Sequence, residues 1–441
     1  MEKSKYQTSR VERLSYGGFF LGQNIIYVIP FQFLTYFYTE YVGLSLADTT
    51  LLLLIAKVWD AVNDPIMGAI VDKCNFRKGK YLPWLKFVTY VLPLSLFFLL
   101  LPIQGPYLLK LLYAYITYIL FDMIYTISDS PLFSLATVMS SSSYERNILM
   151  SHGRLAAAVA AITSAAFMSI KANVGWTLTV GIYCLISFLV MFPMQMKAKE
   201  RVNYIRSEDI SFLKIFQLLF RNKYLFIYYI GYMAIGTTNT LQIMAVYFAK
   251  SNLGDEAFVS VIMAVVILPV IILAPFLPYL IKWFGKKKLT VVCSIATILL
   301  SIIQYKSGYE NFILFLVIAA IRVAFMQIPL MLYGMFTSDC IEYGASKNGE
   351  RTEGMAFSLQ TFVTKLSAAL CNTICLLLLG FYGYVQKAPR QTNSTLEGIW
   401  IIMSLVPIIG YVIMIFIMHF YNLDEASVAR MAEQNRTKIQ N

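Results

Sequence analysis

Apolar residues run through this chain in twelve long blocks separated by short polar stretches: roughly 14–40, 46–71, 83–103, 108–139, 152–171, 176–196, 224–249, 257–281, 289–306, 311–337, 354–381 and 397–420. A bilayer core needs about 20 apolar residues per helix, and the blocks are of that length. None shows the alternation of a membrane β-barrel, which runs in strands of about ten residues. Backbone polar groups in hydrocarbon must be satisfied within their own segment, so the blocks are read as helices. The chain is predicted to be an all-α integral membrane protein with twelve transmembrane helices. The first block follows a polar start, exceeds a signal-peptide core and lacks a small-residue cleavage site, so no cleaved leader is expected.

Composition agrees with this pattern. Of 441 residues, 58% are hydrophobic and 14% charged, where a soluble protein carries about a quarter charged. A soluble enzyme, a disordered regulator and a nucleic-acid-binding domain are excluded. The net charge of +12 is explained by location: with the N-terminus inside, 27 of the 36 lysines and arginines fall in inner segments and 6 in outer ones. Lys57, Arg322 and Lys365 lie within spans. Positive residues accumulate on the cytoplasmic side, which predicts a multi-pass protein of the cytoplasmic membrane with both termini inside. The lipid bilayer is thus the expected partner, and no nucleic acid is. The six cysteines are scattered and imply no outer disulfide framework. Cys371 and Cys375 share a helix face, but two thiols alone make a poor metal site.

The longest charged inner segment divides the blocks six and six. The expected organisation is an N-terminal six-helix bundle over 1–196, a cytoplasmic linker over 197–223, and a C-terminal six-helix bundle over 224–441 with a short cytoplasmic tail. The halves echo each other. Ser128-Asp129-Ser130-Pro131-Leu132 answers Met326-Gln327-Ile328-Pro329-Leu330. Glu145-Arg146 answers Glu350-Arg351, and Arg77-Lys78-Gly79-Lys80 answers Gly285-Lys286-Lys287-Lys288. Parallel repeats of this kind are a transporter architecture, with the site expected near the midplane between the halves. No GxxxxGK[ST] phosphate loop is present, so transport is driven by an ion gradient or is passive. Nothing supplies a catalytic constellation; an enzyme and a cofactor are not expected.

Ionisable residues at mid-span are costly and default to functional candidates. The second block reads Lys57-Val58-Trp59-Asp60-Ala61-Val62-Asn63-Asp64-Pro65. Asp60 and Asp64 are four apart and share a helix face. Two carboxylates this close in a low dielectric cannot both stay ionised unaided. A monovalent cation with hard oxygen ligands fits, with Asn63 as a neutral ligand. The competing reading is a salt-bridge network that only positions helices. The fourth block adds Asp122, Thr126 and Asp129 on one face, continued by Phe133. A carboxylate followed one turn later by an aromatic ring suits a sugar, whose hydroxyls meet the acid and whose C–H face meets the ring. Simple packing of Phe133 is the alternative. Asn24, next to Gln23, and Lys365, in a span that also carries Gln360 and Thr361, lie near mid-depth, and Arg154 sits close enough to its span end to reach the cytoplasm. His152 and His419 are at span ends and are assigned no proton relay. Asp122 and Arg322 have no partner identifiable from spacing.

Trp59 to Gly68, running on through Asp72, Arg77-Lys78-Gly79-Lys80 and Pro83-Trp84, resembles the glycoside–pentoside–hexuronide:cation symporters, a melibiose permease-like family of the major facilitator superfamily. So do Tyr36 to Ser45, Tyr125 to Ser134, the loop with Asp339, Glu342-Tyr343-Gly344 and Arg351-Thr352-Glu353-Gly354, and Gln360 to Lys365. The resemblance implies a major facilitator fold and inward symport of a glycoside, pentoside or uronide with Na⁺, or with H⁺ or Li⁺. It puts the cation on Asp60, Asn63, Asp64 and Thr126. It puts the sugar on Asn24, Tyr125, Asp129, Phe133, Arg154, Thr361 and Lys365, and an inner gate on Arg146, Asp339, Glu342 and Arg351. The family pattern has a Lys-Asp pair where this chain has Gln23-Asn24, Trp in place of Phe133, and Arg in place of Lys57. The amide at Asn24 removes a repulsion against anionic substrates, so an acidic sugar is as defensible as a neutral one. A non-sugar substrate, such as a lysolipid or organic anion, is the alternative. A monomer is expected.

Overall fold

The computed structural model describes residues 7–74, 76, 79–140, 142–201, 221–273, 275–348 and 353–440. α1 (Arg10–Tyr36) opens on a capping box: Ser9 Oγ accepts from Glu12 N at 3.2 Å, and Ser9 N donates to Glu12 Oε2 at 2.8 Å. It runs into one π-helical turn (Phe37–Val42), closed by Gly43 at φ +80°. Only glycine takes that backbone without penalty. Ser45 then caps α2 (Leu46–Lys73) by accepting from Asp48 N at 3.0 Å. There follow α3 (Leu82–Leu99), α4 (Tyr107–Met139), α5 (Ser143–Ala165), α6 (Phe167–Val174) and α7 (Trp176–Lys197). After the linker come α8 (Lys223–Thr237), α9 (Leu241–Ser251), α10 (Phe258–Leu273), α11 (Leu277–Phe284), α12 (Lys286–Ser307), α13 (Phe312–Met331), α14 (Tyr333–Asn348), α15 (Glu353–Phe381), α16 (Asn393–Ser404), α17 (Val406–Phe420) and α18 (Glu425–Gln440).

Each expected block coincides with a helix or a broken helix pair. Among the described residues, nine helical stretches are long and apolar enough to cross a membrane, and α10 with α11, bent by 64°, adds a tenth. Two expected blocks fall short for physical reasons. α2 carries at least three charges in every 18-residue window, because Lys57, Asp60 and Asp64 stand at its centre. The seventh block is split at Thr238–Thr240 into α8 and α9, each too short alone. Outward faces carry Leu94, Leu112, Ile116, Leu189, Ile303 and Phe416, all largely exposed. So much outward apolar surface belongs to a protein bathed in lipid.

Two compact units are present. The first comprises the described part of Met1–Arg206 together with Ala249–Val261 and Val385–Arg390. In it α1 packs on α5 and α7, α3 on α4 and α7, and α2 on α4. α1 and α7 approach backbone to backbone: a Cβ at Gly18 would stand 2.8 Å from Val190 O, and one at Gly22 2.6 Å from Ser187 O. Small residues four apart permit such crossings. On the polar side Arg201 grips Glu12 through Nη2 at 2.7 and 2.9 Å. The fully buried Glu145 accepts from Thr8 N and Thr8 Oγ, both at 3.0 Å, and from Ser140.

The second unit comprises the described part of Ser207–Phe248, with Ile262–Tyr384 and Gln391–Asn441. Its core is aromatic: Tyr228, Tyr229, Tyr232, Tyr333, Phe336 and Tyr421 pack between α8, α14 and the end of α17. α12 packs on α13 and α17, α8 on α15 and α17, and α18 lies on α14. There Asn435 Nδ2 donates to Glu342 O and Oε2, both at 3.0 Å.

The internal echo of the sequence has a structural counterpart. Glu200, after α7, accepts from the N–H groups of Lys80, Tyr81 and Leu82 at 2.7, 2.8 and 2.7 Å, at the start of α3. Glu425, after α17, accepts from Lys286 N at 2.6 Å, at the start of α12. In each half a carboxylate following the sixth block fills the positive end of the third, where orphan N–H groups and the helix dipole favour an anion. Glu200→Ala is expected to destabilise the protein by about 1–2 kcal/mol, read as a lowered thermal unfolding midpoint in detergent. Glu200→Gln is expected to recover part of the loss. An unchanged midpoint in Glu200→Ala would show the cap to be energetically idle.

Candidate functional site

The charged centre of α2 faces α4. Asp60 is 4% exposed, Asn63 2%, Thr126 7% and Asp122 9%. Lys57 Nζ stands 3.4 Å from Asp60 Oδ2, an i,i+3 pair on one face. The Asn63 amide crosses to α4, donating through Nδ2 to Thr126 Oγ1 at 3.0 Å and towards Asp122 Oδ2 at 3.4 Å. Tyr27, Tyr118 and Asp122 also lie within electrostatic range of Lys57. Asn63 and Thr126 are therefore brought together, with Asp60 one turn along α2. The side chain of Asp64 lies outside those described. Among the described residues no group of three His, Cys, Asp or Glu side chains could hold a metal ion. Any cation here would be held by a mixed set of carboxylate, amide and hydroxyl oxygens. Asp122, which spacing left without a role, is placed by the helix packing beside Asn63.

Further along α4, Asp129 is held by α1. Gln23, 1% exposed, donates through Nε2 to Asp129 Oδ1 at 3.1 Å and to Ser128 Oγ at 2.9 Å. Ser128 Oγ in turn donates to Tyr125 O at 2.8 Å. The Asn24 amide turns back along its own helix to Phe20 O at 2.8 Å. Phe133 is 47% exposed, and Phe20 meets it edge-on with centroids 5.3 Å apart. Tyr125 stacks on Tyr27 at 5.1 Å and 30°, and Tyr27 stacks on Phe31 at 6.0 Å and 17°. Acid, amide and ring faces thus stand side by side on α1 and α4. Gln23 and Tyr27 belong to this group although spacing along α4 gave no sign of them. The signal available was their position on α1 beside Asn24.

The remaining expected residues divide. The side chain of Arg154 lies outside those described, and Arg351 lies outside the described residues. On α15 of the second unit, exposed Thr361 donates to Phe357 O at 3.2 Å, and Lys365 is half-buried. Of the expected inner charges, Asp339 pairs with Lys286 at the start of α12. Glu342 accepts from Asn435, and Arg146 is half-buried on α5.

A second charged group was not foreseen. In the first unit, Glu40 on the π-turn pairs with Lys250 and accepts from Lys387 N at 3.2 Å. Glu256 pairs with Lys171 and accepts from Tyr36 OH at 2.5 Å. These contacts fasten Ala249–Val261 to α1, the π-helical turn and α6, and Val385–Arg390 to the π-helical turn. Their sequence signal was faint: acids at the outer ends of blocks, opposite the few outer lysines.

A sequence model of the family described as MFS/sugar transport protein matches residues 15–425. The chain belongs to this family. Its members are transporters, and this one is a multi-pass membrane transporter and not an enzyme. Among its relatives is the uncharacterized symporter YnaJ of Bacillus subtilis (strain 168), 29% identical over 98% of this chain and 96% of that one. The glucuronide carrier protein homolog of Escherichia coli (strain K12) is 26% identical over 96% of each. The fold is that of the solved nucleoside transporter NupG, at a TM-score of 0.68 and 12% identity, covering 94% of this chain and 98% of that one. The match to the glycoside–pentoside–hexuronide symporters implied by the motifs around Asp60 and Asp129 therefore holds along nearly the whole chain.

In a transporter of this family, Gln23→Leu tests the α1–α4 group. It strips Ser128 and Asp129 of a shared donor inside the bundle, a loss of about 1–3 kcal/mol. The expected result is a roughly tenfold or greater rise in the half-saturating substrate concentration, measured by uptake, with membrane insertion retained.

Proposed function

We propose that this transporter is a cation-coupled sugar symporter of the cytoplasmic membrane, with both termini inside. It moves a glycoside, pentoside or uronide inward with a monovalent cation, Na⁺ ahead of H⁺ or Li⁺. The observation that carries the reading is the bridge from Asn63 on α2 to Thr126 on α4, next to Asp60 and at lipid depth. Oxygen ligands on two helices support a small hard cation there. Asp64, four residues after Asp60, completes the set on the same face. Asp122 brings a further carboxylate to the group, beside Asn63.

Asp129 with Tyr125, Phe133 and Asn24 supports sugar recognition in the N-terminal bundle of 1–196. Arg154, Thr361 and Lys365 are assigned to the same substrate, the last two from the C-terminal bundle that follows the linker 197–223. Binding of the cation to Asp60 and Asp64 favours sugar binding beside Asp129, and linkage requires the sugar to raise cation affinity by the same factor. With both bound, the inner charge pairs made by Arg146, Asp339, Glu342 and Arg351 break and the site opens inward. The amide Asn24, standing where the family pattern has an acid, and the relative named as a glucuronide carrier homolog support an acidic sugar as readily as a neutral one.

Asp60→Cys and Asp64→Cys are each expected to abolish gradient-driven accumulation while the protein still inserts. Accumulation against a gradient at the parent's level by either variant would overturn the site. In the parent, Na⁺ is expected to stimulate uptake at fixed pH; stimulation by acidity alone would make the coupling ion a proton.

A further inference from the structure

Arg322, on α13 in the second unit, is fully buried, and no carboxylate among the described residues pairs with it. Its surroundings explain half of it. α16 ends at Ser404 and α17 begins at Val406, so the block breaks in mid-membrane. Met403 O loses its helical donor because Pro407 has no N–H. Ser404 O loses its own because Ile408 N bonds to Leu405 O at 3.0 Å instead. Arg322 Nη1 supplies both, donating to Met403 O and Ser404 O at 3.2 Å each.

The other half is unexplained. Nε and Nη2, the forked edge that suits two acceptor contacts, have no hydrogen-bond partner among the described residues. On α12, which packs against α13, α16 and α17, Ser301 Oγ and both polar atoms of Gln304 are fully buried and likewise unpartnered. The same end of α12 is tied to α16 by Trp400 Nε1, which donates to Tyr305 O at 3.3 Å, one turn before Ser404. A guanidinium does not shed its proton. The carbonyl end of α16 offers about half a negative charge, so a buried positive charge remains that water can hydrogen-bond but not neutralise.

We propose that the seam between α12, α13 and the α16–α17 break binds a small inorganic anion such as chloride. The anion sits on the Nε–Nη2 edge of Arg322, with donors from Gln304 and Ser301. This anion is structural and separate from the transported substrate and its coupling ion. A ligand that binds the folded state alone raises stability with its concentration. The test is thermal unfolding of the purified full chain in sodium gluconate, titrated with sodium chloride or bromide at constant Na⁺ and ionic strength. The parent is expected to show a saturable rise in unfolding midpoint, and bromide-soaked crystals one anomalous peak at Arg322. Gln304→Leu is expected to shift the titration to about tenfold higher anion, and Arg322→Gln to abolish it. If Arg322→Gln fails to fold, the parent titration and Gln304→Leu decide. A midpoint indifferent to anion identity in the parent, a titration unmoved in Gln304→Leu, or bromide at surface sites alone would overturn the proposal and leave Arg322 hydrated by water. The unfolding readout uses no transport, so its outcome is independent of whether sugar symport is correct.

Discussion

Every polar group placed at hydrocarbon depth must find its partner inside the protein, and this constraint organises the molecule. Lipid offers neither hydrogen bonds nor counter-charge. The α2 helix therefore concentrates Lys57, Asp60 and Asn63 on a face that α4 covers with Asp122 and Thr126. The same rule governs the second unit, where a proline breaks the last block and a buried arginine on a neighbouring helix takes up the carbonyls so released. Polar residues within the spans mark both a cluster shared by two helices and a place where a helix can be interrupted.

Where the helices leave the hydrocarbon, the chain uses its own carboxylates as stoppers. Glu200 and Glu425 come from segments that follow the sixth and twelfth blocks, and each closes the start of a helix three blocks earlier. A charge placed there can hold a helix end by aligned N–H groups and the dipole together. The repetition in both halves supports descent of the halves from one ancestral bundle more firmly than the short sequence echoes do. It depends on a shared geometric solution at matching points, with glycine at positive φ preceding each capped helix, Gly79 at 115° and Gly285 at 72°.

Hydropathy alone was enough to locate the blocks, because the demand for about 20 apolar residues is local and one-dimensional. It located α2 and the seventh block as well, although the charges of α2 and the interruption at Thr238–Thr240 leave neither as a long uninterrupted apolar helix. The site was legible to the extent that its members share a helix face. Asp60 with Asn63, and Asp129 with Phe133, follow from spacings of three and four. Gln23 meeting Asp129, Tyr27 stacking on Tyr125, and Asp122 meeting Asn63 are contacts between helices, and no spacing along one helix encodes them. The Glu40–Lys250 and Glu256–Lys171 pairs were less legible still, because they join segments about 85 to 210 residues apart.

The exchange of an acid–base pair for Gln23-Asn24 has a consequence for the proposed substrate. A lysine at position 23 would balance the charge of Asp129; an amide hydrogen-bonds to the carboxylate and leaves its charge in place. Asn24 meanwhile turns its amide to its own backbone, so position 24 adds no charge of either sign. Asp129 then supplies the carboxylate of the α1–α4 group, one helical turn from Tyr125, which stacks on Tyr27. In the role proposed for it, such a group favours the hydroxyl-bearing end of a sugar over a carboxylate. On the proposed reading, a uronide enters this group hydroxyls first, with its acid directed away from Asp129. On the same reading, the acid is received by Lys365 or Arg154, the cations assigned to this substrate. Discrimination between neutral and acidic sugars, on that proposed assignment, rests on those cations, while Asp129 and its aromatic neighbours set the preference for a sugar of either kind.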